Sequence, residues 1–464
     1  MTGIWQPGGG SPRGRVPRGA LRRGPPRVHQ VEMPLRMAAR RAAPAAATVS
    51  RIASLALILA LPFFAQVFHY LNELPPPYFL SKAWPILVFP LTLYGLIRMK
   101  LPGHNLFLLL LAYLLGFTPL VSIIQLGNGL FDALTTTVKA WPFTYYFGLS
   151  ALLSLLALPA ERVRAICLGY GAGTFALLVL IWIAAPTSWY VTNPEDGKLL
   201  QYDVDRGYRV YLSMFFGMLF IFYLGRSFVI ERKVWRLIAI PIAFLILMVI
   251  YKQRTAILMA MMVTGYGIVM ALPRRMRQLA IGLGLLLAVP AVAVAAWVLL
   301  GGGLDNLQQS LGGSLSVRQN SAALASHYLG DHTLRWTFGV GATTRFGSVT
   351  LADIFGYDQF FIADLGWLGV VFEYGLIGAL LIFAVHAWGF FITARLGGKH
   401  HDPFILALSD YLLYLLLTSA VYSLVFLPGE FGVALALAIY LGTRPSPGPP
   451  VANVPSGAAR PKPE

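Results

Sequence analysis

The feature that most constrains this chain is a series of apolar runs, most of them close to the roughly 18 to 25 residues that cross a bilayer. They fall at about 52–70, 80–98, 104–122, 138–158, 163–185, 208–225, 236–251, 254–272, 278–300, 365–394, 403–422 and 429–443. The mean hydropathy of +0.67 and the 57% share of hydrophobic residues exceed what a soluble core of 464 residues can use. Short segments of alternating polarity, the mark of a membrane β-barrel, do not occur. The expected fold is all-α: a polytopic membrane protein of about 12 transmembrane helices, with the lipid bilayer as its first partner.

Charge orients the runs. The formal net charge of +17 does not point to nucleic acid, because the basic residues flank apolar runs. Ten of the 36 Lys and Arg precede the first run. With the N-terminus inside, sixteen more fall in inside loops and ten outside. Positive charge collects on the cytoplasmic side, so both termini are expected there and residues 301–363 on the opposite face. The divisions expected are a basic disordered tail over 1–51, nine helices over 52–300, a long outer loop over 301–363, three helices over 364–443 and a disordered tail over 444–464. The first tail also reads as an upstream start, with Met33 or Met37 as the true one. Arg40–Arg41 before an apolar stretch suit a secretion signal, but no small-residue cleavage site follows, which favours an uncleaved first span. Cys167 is alone, which leaves no disulfide framework and no thiolate metal site.

The loop over 301–363 is unusually long for a chain of short connections, and such loops are functional or disordered. Trp336, Phe338, Phe346 and Phe360–Phe361 favour order. Outside cations work against orientation and so need another reason. Lys82, Lys139, Arg335 and Arg345 read equally well as solvated or snorkelling charges. Arg206, Arg209, Arg254 and Arg318 sit at outer span ends or in the loop, where a guanidinium near lipid is usually paired or functional. Several arginines at one face suit a diphosphate, whose oxygens the planar fork grips. A lipid diphosphate would keep its tail in the bilayer. Sugar transfer from it needs a base for the acceptor hydroxyl and stabilisation of the leaving diphosphate. Asp364 is the first candidate base, although it also reads as an N-cap of the following helix. His327 and His332 come next, since an imidazole can accept a proton at neutral pH. Glu373 shares a helical face with Gly366, Gly369 and Val370 and should look into the bundle, either in function or paired to an arginine. Asp410 has the same ambiguity. The Asp203/Asp205 pair is a weak metal signal; no HExxH, phosphate loop or dinucleotide fingerprint occurs, so no metal or cofactor is expected.

Four local patterns resemble the O-antigen ligase and Wzy-type polymerase superfamily. Ser316-Val317-Arg318 is similar to the start of that family's loop, Phe338-Gly339-Val340-Gly341 to its glycine turn, and Gln253-Arg254-Thr255 to its arginine at the outer end of a helix. The run from Asp358-Gln359 through Asp364-Leu365-Gly366 to Glu373-Tyr374-Gly375-Leu376-Ile377-Gly378 is similar to its loop-to-helix junction. The resemblance covers about residues 200–380. It departs at one place, where the ligases carry a catalytic His and this chain has Asp358-Gln359 or Asp364-Leu365.

That resemblance implies a GT-C-like glycosyltransferase of the bacterial inner membrane with a periplasmic active face. Its substrate would be an undecaprenyl-diphosphate-linked oligosaccharide, with a chain-length regulator as a possible partner. The expected reaction is metal-independent polymerisation of lipid-linked repeat units. Arg254, Arg318 and Arg206 or Arg209 would hold the diphosphate, Asp364 would act on the acceptor, and Glu373 would fix an arginine. A ligase acting on lipid A core or another acceptor, and a polysaccharide or lipid transporter, stay open.

Overall fold

The computed structural model describes residues 50–193, 196–204, 206–300, 313–342, 351–356, 360, 362–423 and 427–443. Met33, Met37, Arg40–Arg41, Asp205, Arg345, Phe346, Phe361, the Asp358-Gln359 pair and nearly all of both expected tails lie outside the described residues.

The described chain is mostly helical. In order it forms α1 (Ser50–Phe64), α2 (Pro75–Arg98), α3 (His104–Leu126), α4 (Leu130–Thr136), α5 (Tyr145–Leu156) and α6 (Ala160–Ala184). A hairpin of β1 (Leu200–Asp203) and β2 (Gly207–Val210) follows. Then come α7 (Phe215–Glu231), α8 (Val234–Tyr251), α9 (Arg254–Ala271), α10 (Arg274–Leu300), α11 (Gly313–Leu329), α12 (Thr333–Phe338), α13 (Leu351–Phe355), α14 (Trp367–His400), α15 (Pro403–Thr418) and α16 (Pro428–Thr443). Among them α2, α3, α6, α8, α9 and α14 are long and apolar enough to cross a membrane, while α1, α15 and α16 are shorter apolar helices. Leucines and isoleucines such as Ile86, Leu180, Ile183, Leu285 and Leu380 stand exposed along these helices, as in a protein whose outer solvent is lipid.

The bundle is built around α16. Every residue from Pro428 to Gly442 is buried, and a helix apolar on all sides belongs in the middle of a bundle. It packs on α5, α14 and α15, while α7 lies against α6, α8, α9 and α15. Several of the charges buried within the bundle are paired. Arg226 of α7 donates from Nε and Nη2 to Asp410 of α15 at 2.7 and 2.6 Å. Arg164 likewise pairs with Asp402, whose other oxygen caps α15 by accepting from Phe404 N–H. Asp410, ambiguous in the sequence, is therefore one half of a bidentate structural pair.

Three local expectations change. The run expected to begin a helix at 208 first completes a strand, with Leu200 facing Val210 and Asp203 facing Gly207. Gly207 takes φ +69, open to glycine in a tight turn, and Tyr202, Tyr208 and Val210 suit extended backbone. Arg206 and Arg209 thus ride on a hairpin and not on a helix end. The long loop contains α11, α12 and α13. A small apolar cluster including Ala325, Leu329, Val340, Phe360 and Phe372 fastens these helices to the start of α14. Asp364 caps nothing: it lies in the 3₁₀ turn Ile362–Leu365, and Gly366 at φ +58 is the N-cap of α14.

The glycine turn at 339–341 has a mechanical role. α14 breaks at Gly375, whose φ is +65. Into that break the turn docks, with Val340 N–H donating to Phe372 C=O at 2.9 Å and Gly341 N–H to Glu373 C=O at 3.1 Å. A Cβ on Gly339 would stand 2.5 Å from Gly375 N, and one on Gly341 would stand 2.5 Å from Ser122 Cα. Only glycine lets these backbones approach so closely.

Candidate functional site

A cavity of about 520 Å³ opens between the hairpin, the start of α7, the α8–α9 junction, the start of α11 and the α14–α16 region. Its wall includes Arg206, Arg209, Arg318 and Asp364. Four expected site residues, from three chain segments more than 40 residues apart, therefore face one space. Gln253 and Thr255 of the Gln253-Arg254-Thr255 pattern also line it. The same lining is rich in tyrosine and carries a second carboxylate: Tyr70, Tyr211, Tyr251, Tyr411, Tyr414 and Tyr422, with Glu430.

The hairpin fixes two of the arginines. Arg206 Nε lies 3.7 Å from Asp203 Oδ2, and the Arg206 carbonyl accepts from Lys252 Nζ at 2.8 Å. Arg209 Nε is buried without a hydrogen-bond partner, an arrangement that leaves a guanidinium N–H available to an anion. Burial, followed by the nearby Arg206 charge, pushes the Arg209 pKa down; Asp203 works the other way. A negatively charged guest would offset both causes.

Arg318 reaches the cavity from α11. Its Nη2 lies 3.6 Å from Asp364 Oδ1, with both side chains half-buried. Burial raises the Asp364 pKa, and the Arg318 and Arg206 charges oppose that rise. An ionisable carboxylate with a raised pKa beside the arginines has the properties of a general base. Tyr422 lines the same chamber. Burial, then the Asp364 carboxylate, push its phenol up to about 12, with Glu430 adding to this and Arg318 opposing it.

Arg254 faces elsewhere. It lines a second cavity of about 390 Å³ together with Arg206, Lys252 and the apolar Met248, Ile257, Leu258 and Met261. Arg206 is common to both linings.

The remaining expected residues are not part of the chamber lining. His327 at the end of α11 and His332 before α12 are exposed. Glu373 is fully buried, as its glycine-rich face implied, but its cation is Lys139 at 2.5 Å and not an arginine. Lys139 ends the 3₁₀ turn after α4, and the arginines lie on other elements. No group of three or more His, Cys, Asp or Glu could hold a metal among the described residues. Glu430 escaped the sequence reading. Its signal was a single carboxylate opening an otherwise uncharged run, which is easily mistaken for a rim residue.

No family model matches the chain, and comparison with curated proteins finds no match.

Proposed function

We propose that the chain is a membrane glycosyltransferase of the polysaccharide polymerase type. It moves a glycan from undecaprenyl diphosphate to a second lipid-linked repeat unit at the periplasmic face of a bacterial inner membrane. In this reading the chain spans the bilayer about twelve times, with both termini cytoplasmic and the 301–363 segment outside. The observation that carries it is the meeting of Arg206, Arg209 and Arg318 with Asp364 in one chamber, with Arg209 Nε unpartnered. Three guanidinium groups suit the two phosphates of a lipid diphosphate. The second cavity, apolar but edged by Arg254 and Lys252, is the kind of groove a prenyl chain would follow from those phosphates into lipid.

The chemistry is a displacement. The acceptor hydroxyl oxygen bonds to the anomeric carbon of the donor while the bond from that carbon to the diphosphate oxygen breaks. The electron pair leaves with the lipid diphosphate, whose growing charge the arginines stabilise. The hydroxyl proton passes to Asp364. The exposed position of His327 and His332 favours polymerase over ligase, since the ligases of the resembling family use a histidine.

The test is to replace Arg318 or Arg206 by Ala and inspect surface glycan and lipid-linked intermediates. Accumulated single repeat units indicate lost polymerisation. Complete lipid-linked chains that fail to attach indicate a ligase. Unaltered glycan in both variants removes either enzyme and leaves transport.

A further inference from the structure

The arginines of the chamber account for an anion but not for the tyrosines and Glu430 that share its lining. Glu430 lies in the first turn of α16, 6% exposed. Tyr411 O–H donates to its Oε2 at 2.5 Å, and Ser213 O–H to its Oε1 at 3.4 Å. An ionised carboxylate accepts about four hydrogen bonds. Two are used, the second weakly, and Glu430 lines the open chamber. The carboxylate is also held firmly. Gln66, itself on the chamber wall and at φ +54, accepts from Gly429 N–H at 3.0 Å and locks the start of α16. Around it Tyr70, Tyr211, Tyr251, Tyr414 and Tyr422 supply rings and hydroxyls.

We infer that Glu430 and this tyrosine wall form the binding site for the acceptor saccharide, with Glu430 accepting hydrogen bonds from its hydroxyls. This rests on the transferase reading and adds the half of the site that reading leaves open. The chemistry distinguishes the two sets of residues. Cations attract phosphates, whereas a carboxylate repels them and prefers hydroxyl donors. Aromatic faces cover the apolar C–H face of a sugar ring, and phenol hydroxyls meet its oxygens. A neutral, hydroxyl-rich ring with one end toward Glu430 would extend toward Asp364 past Tyr422, which feels both carboxylates. Glu430 thereby sets which hydroxyl of the acceptor is presented and acts as a positioning residue.

The test uses the full chain in lipid nanodiscs. Farnesyl diphosphate probes the arginine end. Lipid-linked oligosaccharide from the host is the donor, and the same oligosaccharide freed from its diphosphate by mild acid is the acceptor. Glu430→Gln is expected to raise the KM for the freed oligosaccharide by about tenfold to a hundredfold. Its kcat at saturation should stay within a few-fold, with farnesyl diphosphate binding unchanged. Tyr411→Phe, which removes the donor that orients Glu430, should shift the same KM by a few-fold and provides a second variant if Glu430→Gln does not fold. An unchanged acceptor KM in both variants, or a fall in kcat with KM intact, overturns the inference while the transferase reading stands. Wild-type protein that neither binds farnesyl diphosphate nor elongates the oligosaccharide overturns the transferase reading itself, and the inference with it.

Discussion

Arg318 Nη2 stands 3.6 Å from Asp364 Oδ1, farther than a charge-assisted hydrogen bond and close enough for each charge to govern the other. A pair held apart in this way can admit a phosphate oxygen to the arginine without first breaking a tight ion pair. Arg318→Ala is expected to reduce glycan transfer by roughly a hundredfold or more, the scale of a lost transition-state donor. Arg318→Lys should recover only part of this, since an ammonium keeps the charge but not the fork. Lipid-linked repeat units counted in cells expressing each variant check both outcomes.

Asp364 gives a prediction in pH. Its carboxyl is raised by burial against the pull of Arg318 and Arg206. A base must be ionised, so the rate falls as pH drops through this raised pKa, sooner than for a solvated aspartate. The effect on stability runs the other way. A carboxyl that binds its proton more tightly when folded favours the fold at low pH, and that contribution is lost as pH rises through the folded pKa. Asp364→Asn should therefore lose activity by roughly 10²- to 10⁴-fold while its Tm at neutral pH stays equal to wild type or rises. Rate and melting measured across pH 4 to 8 on both proteins decide it.

The clasp between the glycine turn and α14 predicts a purely structural loss. Gly341→Ala places a methyl 2.5 Å from Ser122 Cα at φ +91. Gly339→Ala meets Gly375 N at the same distance. Each should cost roughly 2–3 kcal/mol of stability or more, seen as a lower Tm in detergent and reduced yield. The same substitution at Gly284, which has open space around it, should be nearly silent.

Lys139 and Glu373 predict coupling without catalysis. Lys139→Met leaves the fully buried Glu373 without this cation and should destabilise by roughly 1–3 kcal/mol. Adding Glu373→Gln should return much of the loss. A double-mutant cycle in Tm that shows simple additivity contradicts the pairing.

Arg254 should behave differently from Arg318, because it borders the second cavity. Arg254→Ala is expected to weaken farnesyl diphosphate binding by about tenfold, the worth of one exposed phosphate contact, and to leave kcat within a few-fold. Titration of the probe against wild type and variant measures this directly.

The membrane class and the chamber's positive side were legible because charge and apolarity act one residue at a time. Arg206, Arg209 and Arg318 stood out as cations on the wrong side of the orientation rule, and Asp364 as the acid beside the next span. What the sequence concealed depends on tertiary meeting. Periodicity counts Tyr208 and Val210 as span residues, and only pairing with Leu200–Asp203 makes them a strand. Glu373 announced its burial through its glycine neighbours, but a cation 234 positions away has no local mark. Glu430 was hidden for the same reason: its value comes from Tyr411, Ser213 and Gln66, which no window includes.

Arg206 lines both the chamber and the apolar groove, so one residue belongs to two cavities. A change in the rotamer of that one side chain would alter the lining of both cavities at once. Rotamer exchange takes picoseconds to nanoseconds, whereas helices separate over microseconds or longer. On the proposed transferase reading, the arginine that meets the donor's phosphates would also be the first residue a departing carrier lipid passes.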